Sequence, residues 1–444
     1  MKTKLTLKET ILLSITLFGL FFGAGNLIFP VHLGQLSGSN VVYSTIGFII
    51  TAVTIPILAI ASIGVTHSNG LFRMCEKKVG RGFAFFFTCL LYLTIGPFFA
   101  IPRCCTTTFT SGIYPLMEGF NENICLLIFS FIFFALVLFF SLKPNEIMKW
   151  IGKIITPVFL LFFTVLILSV LFKSNVSIND ISPSSAYLNG SFVNGLLEGY
   201  NTMDAIAGLA FGVIIVNCIR DLGIHDGKLV AIEIIKAGVI TAILMSIIYF
   251  ASTIMGAISL ADLPLSENGG IALGQISKLY LGNFGLIILA FTICLACLKT
   301  AIGLVTSCSE AFTKMFPNCL DYKKWAIIFS IFSFAVSNFG LSTIIEYSVP
   351  VLMFLYPIAI VLTFVGVFSY RTDNKIVFRC TLVGTIFAAI FDFIKTLPFN
   401  IDVSFVSNIL PFFDIGFSWI VPSIIGLTIG LILSYINRRK IIKN

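Results

Sequence analysis

Charge is what this sequence is short of: 11% of its 444 residues are Asp, Glu, Lys or Arg, against roughly a quarter in soluble domains. A water-facing surface cannot be assembled from so few, which excludes a soluble globular protein. Histidine is scarcer still, with three residues, His32, His67 and His225, all near the ends of apolar segments. With no paired carboxylates and no His/Cys/Asp/Glu cluster, nothing assembles a metal centre or an acid–base pair. A membrane-embedded enzyme is therefore disfavoured, and no cofactor or metal is expected. Also missing is the soluble sequence that follows a cleaved signal. Lys2, Lys4 and Lys8 precede an apolar stretch from Ile11 to Ile28, as in a secretory signal, but further apolar segments follow to the C-terminus instead of soluble sequence.

What is present is apolar surface, at 58% hydrophobic residues. A spanning helix needs about 20 such residues to cross a hydrocarbon core roughly 30 Å thick. Segments of that kind are expected at roughly 9–30, 40–65, 83–114, 124–142, 154–172, 192–219, 232–260, 283–312, 325–340, 348–370, 377–397 and 417–436. The connections are short, and even 173–191 and 261–282 leave no room for a soluble domain, so function resides within the membrane. The net charge of +8 does not point to nucleic acid, because the cations are sorted by side. One side holds Lys2, Lys4, Lys8, Arg73, Lys77, Lys78, Arg81, Lys143, Lys149, Lys153, Arg220, Lys228 and Lys236. It continues with Lys314, Lys323, Lys324, Arg371, Lys375, Arg379 and the C-terminal Arg438, Arg439, Lys440 and Lys443. The other holds only Lys173, Lys278 and Lys395. By the positive-inside rule both termini are expected in the cytoplasm, with a multi-pass chain in the cell membrane and the lipid bilayer as its solvent. The eleven cysteines lie mostly in apolar runs and read as free thiols. The CxxC of Cys294 and Cys297 falls in mid-helix and reads as packing.

Two spans are interrupted in matching places. The first contains Phe22-Gly23-Ala24-Gly25-Asn26, and the sixth runs from Gly199 through Tyr200, Asn201, Thr202 and Asp204 to Gly208. Such strings are weak helix, and hydrocarbon tolerates unwound backbone only where protein or a wet cavity satisfies it. Gly23 and Gly25 alone are equally compatible with close helix packing, but a polar break five spans later favours a secondary transporter. Five is odd, so the second unit enters the membrane from the opposite side and the repeats are inverted, with the substrate site between the breaks. The expected fold is all-α and polytopic, with about twelve transmembrane helices. Its parts are a first five-helix repeat (1–172), an inverted second (192–370), and two C-terminal helices with a cytoplasmic tail (371–444).

Ionisable residues inside spans are costly, about 2.5–3.5 kcal/mol on insertion scales, and normally face the bundle interior. Glu310 lies near the end of its span and reads as an interfacial partner of Lys314. Asp204 has two compatible readings, a cap for the half-helix that follows or an anion for a cation or substrate ammonium. Arg103, after Gly96-Pro97 and Ile101-Pro102, reads as a structural clamp on carbonyls freed by the prolines. Lys299 and Thr300 place an ammonium and a hydroxyl on a face where Gly303 leaves a gap. A buried lysine can exchange a proton near neutrality, or it can be permanently paired with a carboxylate such as Asp204.

The string from Leu20 through Gly23-Ala24-Gly25-Asn26 to Phe29-Pro30 resembles the signature of the bacterial branched-chain amino acid carrier family, the BrnQ type. Ile95-Gly96-Pro97-Phe98-Phe99-Ala100-Ile101-Pro102-Arg103, Gly199-Tyr200 with Thr202-Met203-Asp204, and Thr300-Ala301-Ile302-Gly303-Leu304 extend the resemblance over nearly the whole chain. It implies a leucine-transporter-type fold of ten core helices plus two, importing leucine, isoleucine and valine on a cation gradient. The amides of Gly23, Ala24, Gly25 and Asn26 then suit the substrate carboxylate. The sixth-span break, through Tyr200, Asn201, Thr202 and Asp204, suits the ammonium, and Phe98, Phe99 and Tyr200 are candidates for a dry wall. Asp204, Lys299 and Thr300 would carry ion coupling. The resemblance also exposes a departure: the position of Lys299 usually carries a hydroxyl that helps bind sodium. A lysine there favours the proton over sodium as coupling cation. The rival readings are another amino acid or amine permease of the same fold, and a channel.

Overall fold

The computed structural model describes residues 2–142 and 156–443, apart from 67, 69, 118, 175, 369–374 and 400. His67, Lys143, Lys149, Lys153 and Arg371 lie outside the described residues, as does the division expected between 370 and 371. Within the described residues the chain is helical, with no strand. The first span is made of α1 (Leu7–Phe21) and α2 (Ala24–Ser37), and the second of α3 (Val41–Ile49) and α4 (Ile55–Val65), joined by a wide π-type turn. A short α5 (Leu71–Lys78) precedes the third span, α6 (Arg81–Leu93) and α7 (Ala100–Thr108), and then come α8 (Glu122–Ser141) and α9 (Thr156–Lys173). After a short α10 (Ser185–Asn189), α11 (Ser191–Glu198) and α12 (Asp204–Asp221) form the sixth span. The rest are α13 (Gly227–Ser259), α14 (Gly269–Met315), α15 (Tyr322–Ser337), α16 (Leu341–Phe368), α17 (Lys375–Lys395) and α18 (Ile420–Lys443). This is the expected order of about twelve spans, with the first and sixth broken.

Two segments differ from expectation. The third span is broken as well: Gly96 leaves helical geometry (φ −98°, ψ −124°) inside the turn Thr94–Phe98, because Pro97 cannot donate to the ladder. The connection expected at 261–282 is largely helical, since α14 begins at Gly269, where the Asn268 side chain accepts from the amides of Gly270 and Ile271. Ala272, Leu273, Ile276 and Tyr280 are buried at helical spacing, a period that a search for long apolar runs passes over. Gly282, at φ 66°, then breaks this outer piece from the membrane-spanning remainder.

Helix α2 sits at the centre, with nearly every residue buried. The peripheral α8 and α18 instead expose Phe131, Phe139, Ile424 and Ile432, as lipid-facing surfaces require. Helices approach most closely where glycine removes the side chain. A Cβ on Gly34 would run into the Thr253 carbonyl and one on Gly256 into the Val31 carbonyl, which joins α2 to α13. Gly47 and Gly195 do the same for α3 and α11, against the carbonyls of Phe192 and Ser44. Bilayers supply little hydrophobic drive between helices, so contact of this kind is a main source of cohesion. Overpacking by a movable side chain costs about 1–3 kcal/mol, and a backbone carbonyl has less freedom to move. Gly256→Val is therefore expected to lower the thermal midpoint in detergent by several degrees or abolish the monodisperse peak on size exclusion. Gly82→Ala, where nothing beyond its own stretch of helix lies within 4 Å of the added carbon, should leave both unchanged.

Candidate functional site

At the first break α1 ends and Phe22 and Gly23 run extended before α2 restarts at Ala24. The Gly23 amide donates to Asn26 Oδ1 at 3.0 Å. The first-turn amides of α2 have no acceptor within the helix and carry its positive dipole end. The two glycines face different neighbours: a Cβ on Gly23 would touch Thr300 at 3.4 Å, and one on Gly25 would meet Arg103 Nη2 at 3.0 Å and the Phe29 ring at 3.3 Å.

At the second break Gly199–Thr202 makes a single tight turn and Met203 takes a left-handed conformation (φ 63°) before α12 starts at Asp204. Glycine is required at 199 because a Cβ would collide with Thr51 Oγ1. The Thr202 hydroxyl donates to Gly199 O at 2.9 Å and accepts from the Asp204 amide at 3.4 Å. Met203, not Asp204, holds the cap position. The Asp204 carboxylate, 4% exposed, is turned toward α2, where Asn26 Nδ2 donates to its Oδ2 at 2.5 Å and to the Tyr249 hydroxyl at 2.5 Å. Arg103 Nη1 donates to the Asn201 carbonyl at 2.7 Å, with its guanidinium over the Phe29 ring at 5.0 Å. The carbonyl it clamps thus belongs to the sixth span and not to its own proline-bearing helix.

Between the breaks lies a mostly apolar cavity of about 220 Å³. Gly23, Ala24, Gly25, Asn26, Thr202, Asp204, Arg103, Lys299 and Thr300 all line it, so most of the residues singled out in the sequence converge. Among the described residues no hydrogen bond or ion pair joins Lys299 to Asp204 or to any other group. The Lys299 ammonium points at Gly19 of α1, 3.5 Å from where a Cβ would stand. Tyr200 and Asn201 do not line this cavity. Tyr200 stacks on Tyr356 at 4.2 Å, and Tyr200 and Asn201 face a separate cavity of about 300 Å³ that includes Glu198, Asp392 and Lys395. Phe98 and Phe99 are also absent from the central wall, Phe98 packing on Phe332 of α15.

The apolar wall consists instead of Phe21, Ile95, Phe211, Ile214 and Leu304. Several of these were within reach of the sequence, since Gly303, Leu304, Ser307 and Glu310 follow Thr300, and Ala207, Phe211 and Ile214 follow Asp204, at helical spacing. Tyr249 carried no comparable signal. At one end, past Ser307 and Glu310, the cavity adjoins another of about 440 Å³ lined by Arg73 and Lys314. Glu310 and Lys314 form the expected ion pair there, at 3.8 Å and largely exposed.

Comparison with known proteins agrees with this architecture. The solved structure of Mhp1, a nucleobase-cation-symport-1 family transporter in a closed conformation with bromovinylhydantoin bound, superposes with a TM-score of 0.62 over 95% of this chain and 91% of that one. Its inward-facing conformation gives 0.61 over 97% and 91%. At 14% and 13% identity these likenesses establish the fold alone, an all-helical membrane transporter fold of about twelve spans. In sequence the chain is 47% identical to the branched-chain amino acid permease BrnQ of Lactobacillus delbrueckii subsp. lactis, over 99% of this chain and 100% of that one. It is 39% identical to the BrnQ permease of Bacillus subtilis (strain 168), over 98% of each. The protein is a multi-pass membrane transporter and not an enzyme, and with a family model matching residues 6–437 it belongs to the branched-chain amino acid transport protein family.

Proposed function

We propose that this chain imports leucine, isoleucine and valine across the cell membrane by symport with protons. The observation that carries the reading is the Lys299 ammonium, which faces the cavity between the two breaks and has no ion-pair partner among the described residues. The first-turn amides of α2 suit the substrate carboxylate, Asp204 and Thr202 suit its ammonium, and Phe211, Ile95 and Leu304 offer a dry surface to a branched side chain. A sodium ion held about 4 Å from the ammonium would meet a repulsion of about 4 kcal/mol at an effective dielectric of 20. That is about a thousandfold in affinity, so the two cations exclude one another. A proton released from Lys299 toward the cytoplasm and regained from outside couples each cycle to the proton gradient. The sorting of cations supports cytoplasmic termini. On that orientation the Glu310 and Lys314 end of the cavity faces the cytoplasm, the side to which cargo is delivered.

Three outcomes are expected. Uptake of labelled leucine into proteoliposomes at fixed pH should persist when choline replaces sodium and collapse with a proton ionophore. The reverse pattern would assign coupling to sodium and remove Lys299 from it. Gly25→Leu should insert and purify normally yet transport nothing, because its side chain occupies the space between α2 and Arg103; leucine uptake at the wild-type rate would move the site elsewhere. Asp204→Asn should weaken leucine binding at least tenfold, about 1.4 kcal/mol, and unchanged affinity with unchanged coupling would reduce Asp204 to a strut for Asn26.

A further inference from the structure

Arg103 is 3% exposed in the middle of the third span, and a guanidinium so placed is costly unless an anion accompanies it. Among the described residues no carboxylate forms an ion pair with it, and the Asp204 Oδ2 that a guanidinium would seek accepts from Asn26. One of its five N–H groups reaches the Asn201 carbonyl, its face lies on Phe29, and Nε is buried with no partner. A clamp on one carbonyl needs neither a place in the cavity wall nor an open path to α2, and Arg103 has both: it lines the central cavity, and Nη2 stands 3.0 Å from the point where Gly25 lacks a Cβ.

We propose that Arg103 is a direct ligand of the substrate carboxylate, held between its guanidinium and the first turn of α2, with the substrate ammonium at Asp204. This rests on the reading of the cavity as an amino acid site. The cavity then reads both charges of a zwitterion, and the counter-ion that Arg103 lacks arrives with each substrate molecule. The site accordingly selects for a free carboxylate as well as for a branched side chain. An amide or an amine of the same skeleton leaves the guanidinium buried and unpaired and is rejected.

The test is ligand-induced thermal stabilisation of the full-length protein in detergent, titrated with leucine, leucinamide and 3-methylbutylamine, for wild type, Arg103→Gln and Arg103→Lys. Wild type should favour leucine over leucinamide at least a hundredfold. In Arg103→Gln that ratio should fall below tenfold, chiefly through loss of leucine affinity, while leucinamide affinity changes little. Arg103→Lys keeps the charge without the planar fork and should give an intermediate ratio, so it carries the test if the glutamine variant does not fold. A purely structural role would weaken all ligands together and leave the ratio unchanged, and an unchanged ratio in a folded variant overturns the proposal. A wild-type protein that binds neither leucine nor leucinamide removes the amino acid reading itself, and the role of Arg103 with it.

Discussion

Backbone that leaves helical geometry inside a bilayer has no water to turn to, and the satisfaction of those groups from within is the constraint on which this structure is built. One side chain meets much of it. Asn26 accepts the amide of Gly23 at the first break and with its other end holds Asp204, where α12 leaves the second, with Tyr249 of α13 in the same grasp. It is 1% exposed, so these bonds face no competition from solvent. Interhelical bonds of this kind are worth only about 0.6–2 kcal/mol each. Their effect here is geometric, because they fix the separation between two helix ends that open onto one cavity. Arg103, reaching from the third span to the carbonyl of Asn201, adds a second tie across the same gap.

The charges around the cavity do not balance. Arg103 and Lys299 are set against Asp204, with Glu310 out at the mouth in a largely exposed pair with Lys314. A zwitterion entering the site adds no net charge, so the surplus positive charge persists whether or not cargo is bound. Arginine does not lose its proton in proteins. On the proposed mechanism, therefore, Lys299 is the one member able to relieve the excess, and cargo carboxylate and coupling proton act on two cations that share a single carboxylate.

The sequence exposed the elements but not their rotation. Spans, the two matched breaks, the burial of Arg103 and Asp204 and the half-buried place of Lys299 follow from hydropathy, glycine and the cost of intramembrane charge, all of which are local properties. Which way a side chain faces depends on what the helix packs against. Tyr200 illustrates this: it sits in the break, yet it stacks on Tyr356 and faces a different cavity, whereas Phe211, two turns into α12, forms part of the wall. Asp204 looked equally fit for a cap, but Met203 holds that position and the Asp204 carboxylate turns to Asn26. The break at Gly96 was visible as a proline pair but not as an interruption, since a π-type turn keeps a span's length and hydropathy intact. The outer part of α14 was hidden for the opposite reason, having helical period without a span's length.

That outer part has a mechanical consequence. At Gly282 the left-handed turn severs it from the membrane-spanning stretch of α14, while its first residue, Gly269, is pressed so closely on the Ile28 carbonyl that no Cβ would fit. Further along, Gly274 lies against the Ser111 carbonyl beyond α7. The segment is therefore fastened at its near end to the half-helix that follows the first break, and it kinks away from the membrane-spanning stretch where its own chain continues. Covalent order and mechanical allegiance part company at one residue, and a displacement of α2 would drag this outer piece before it pulled on the helix to which the piece formally belongs.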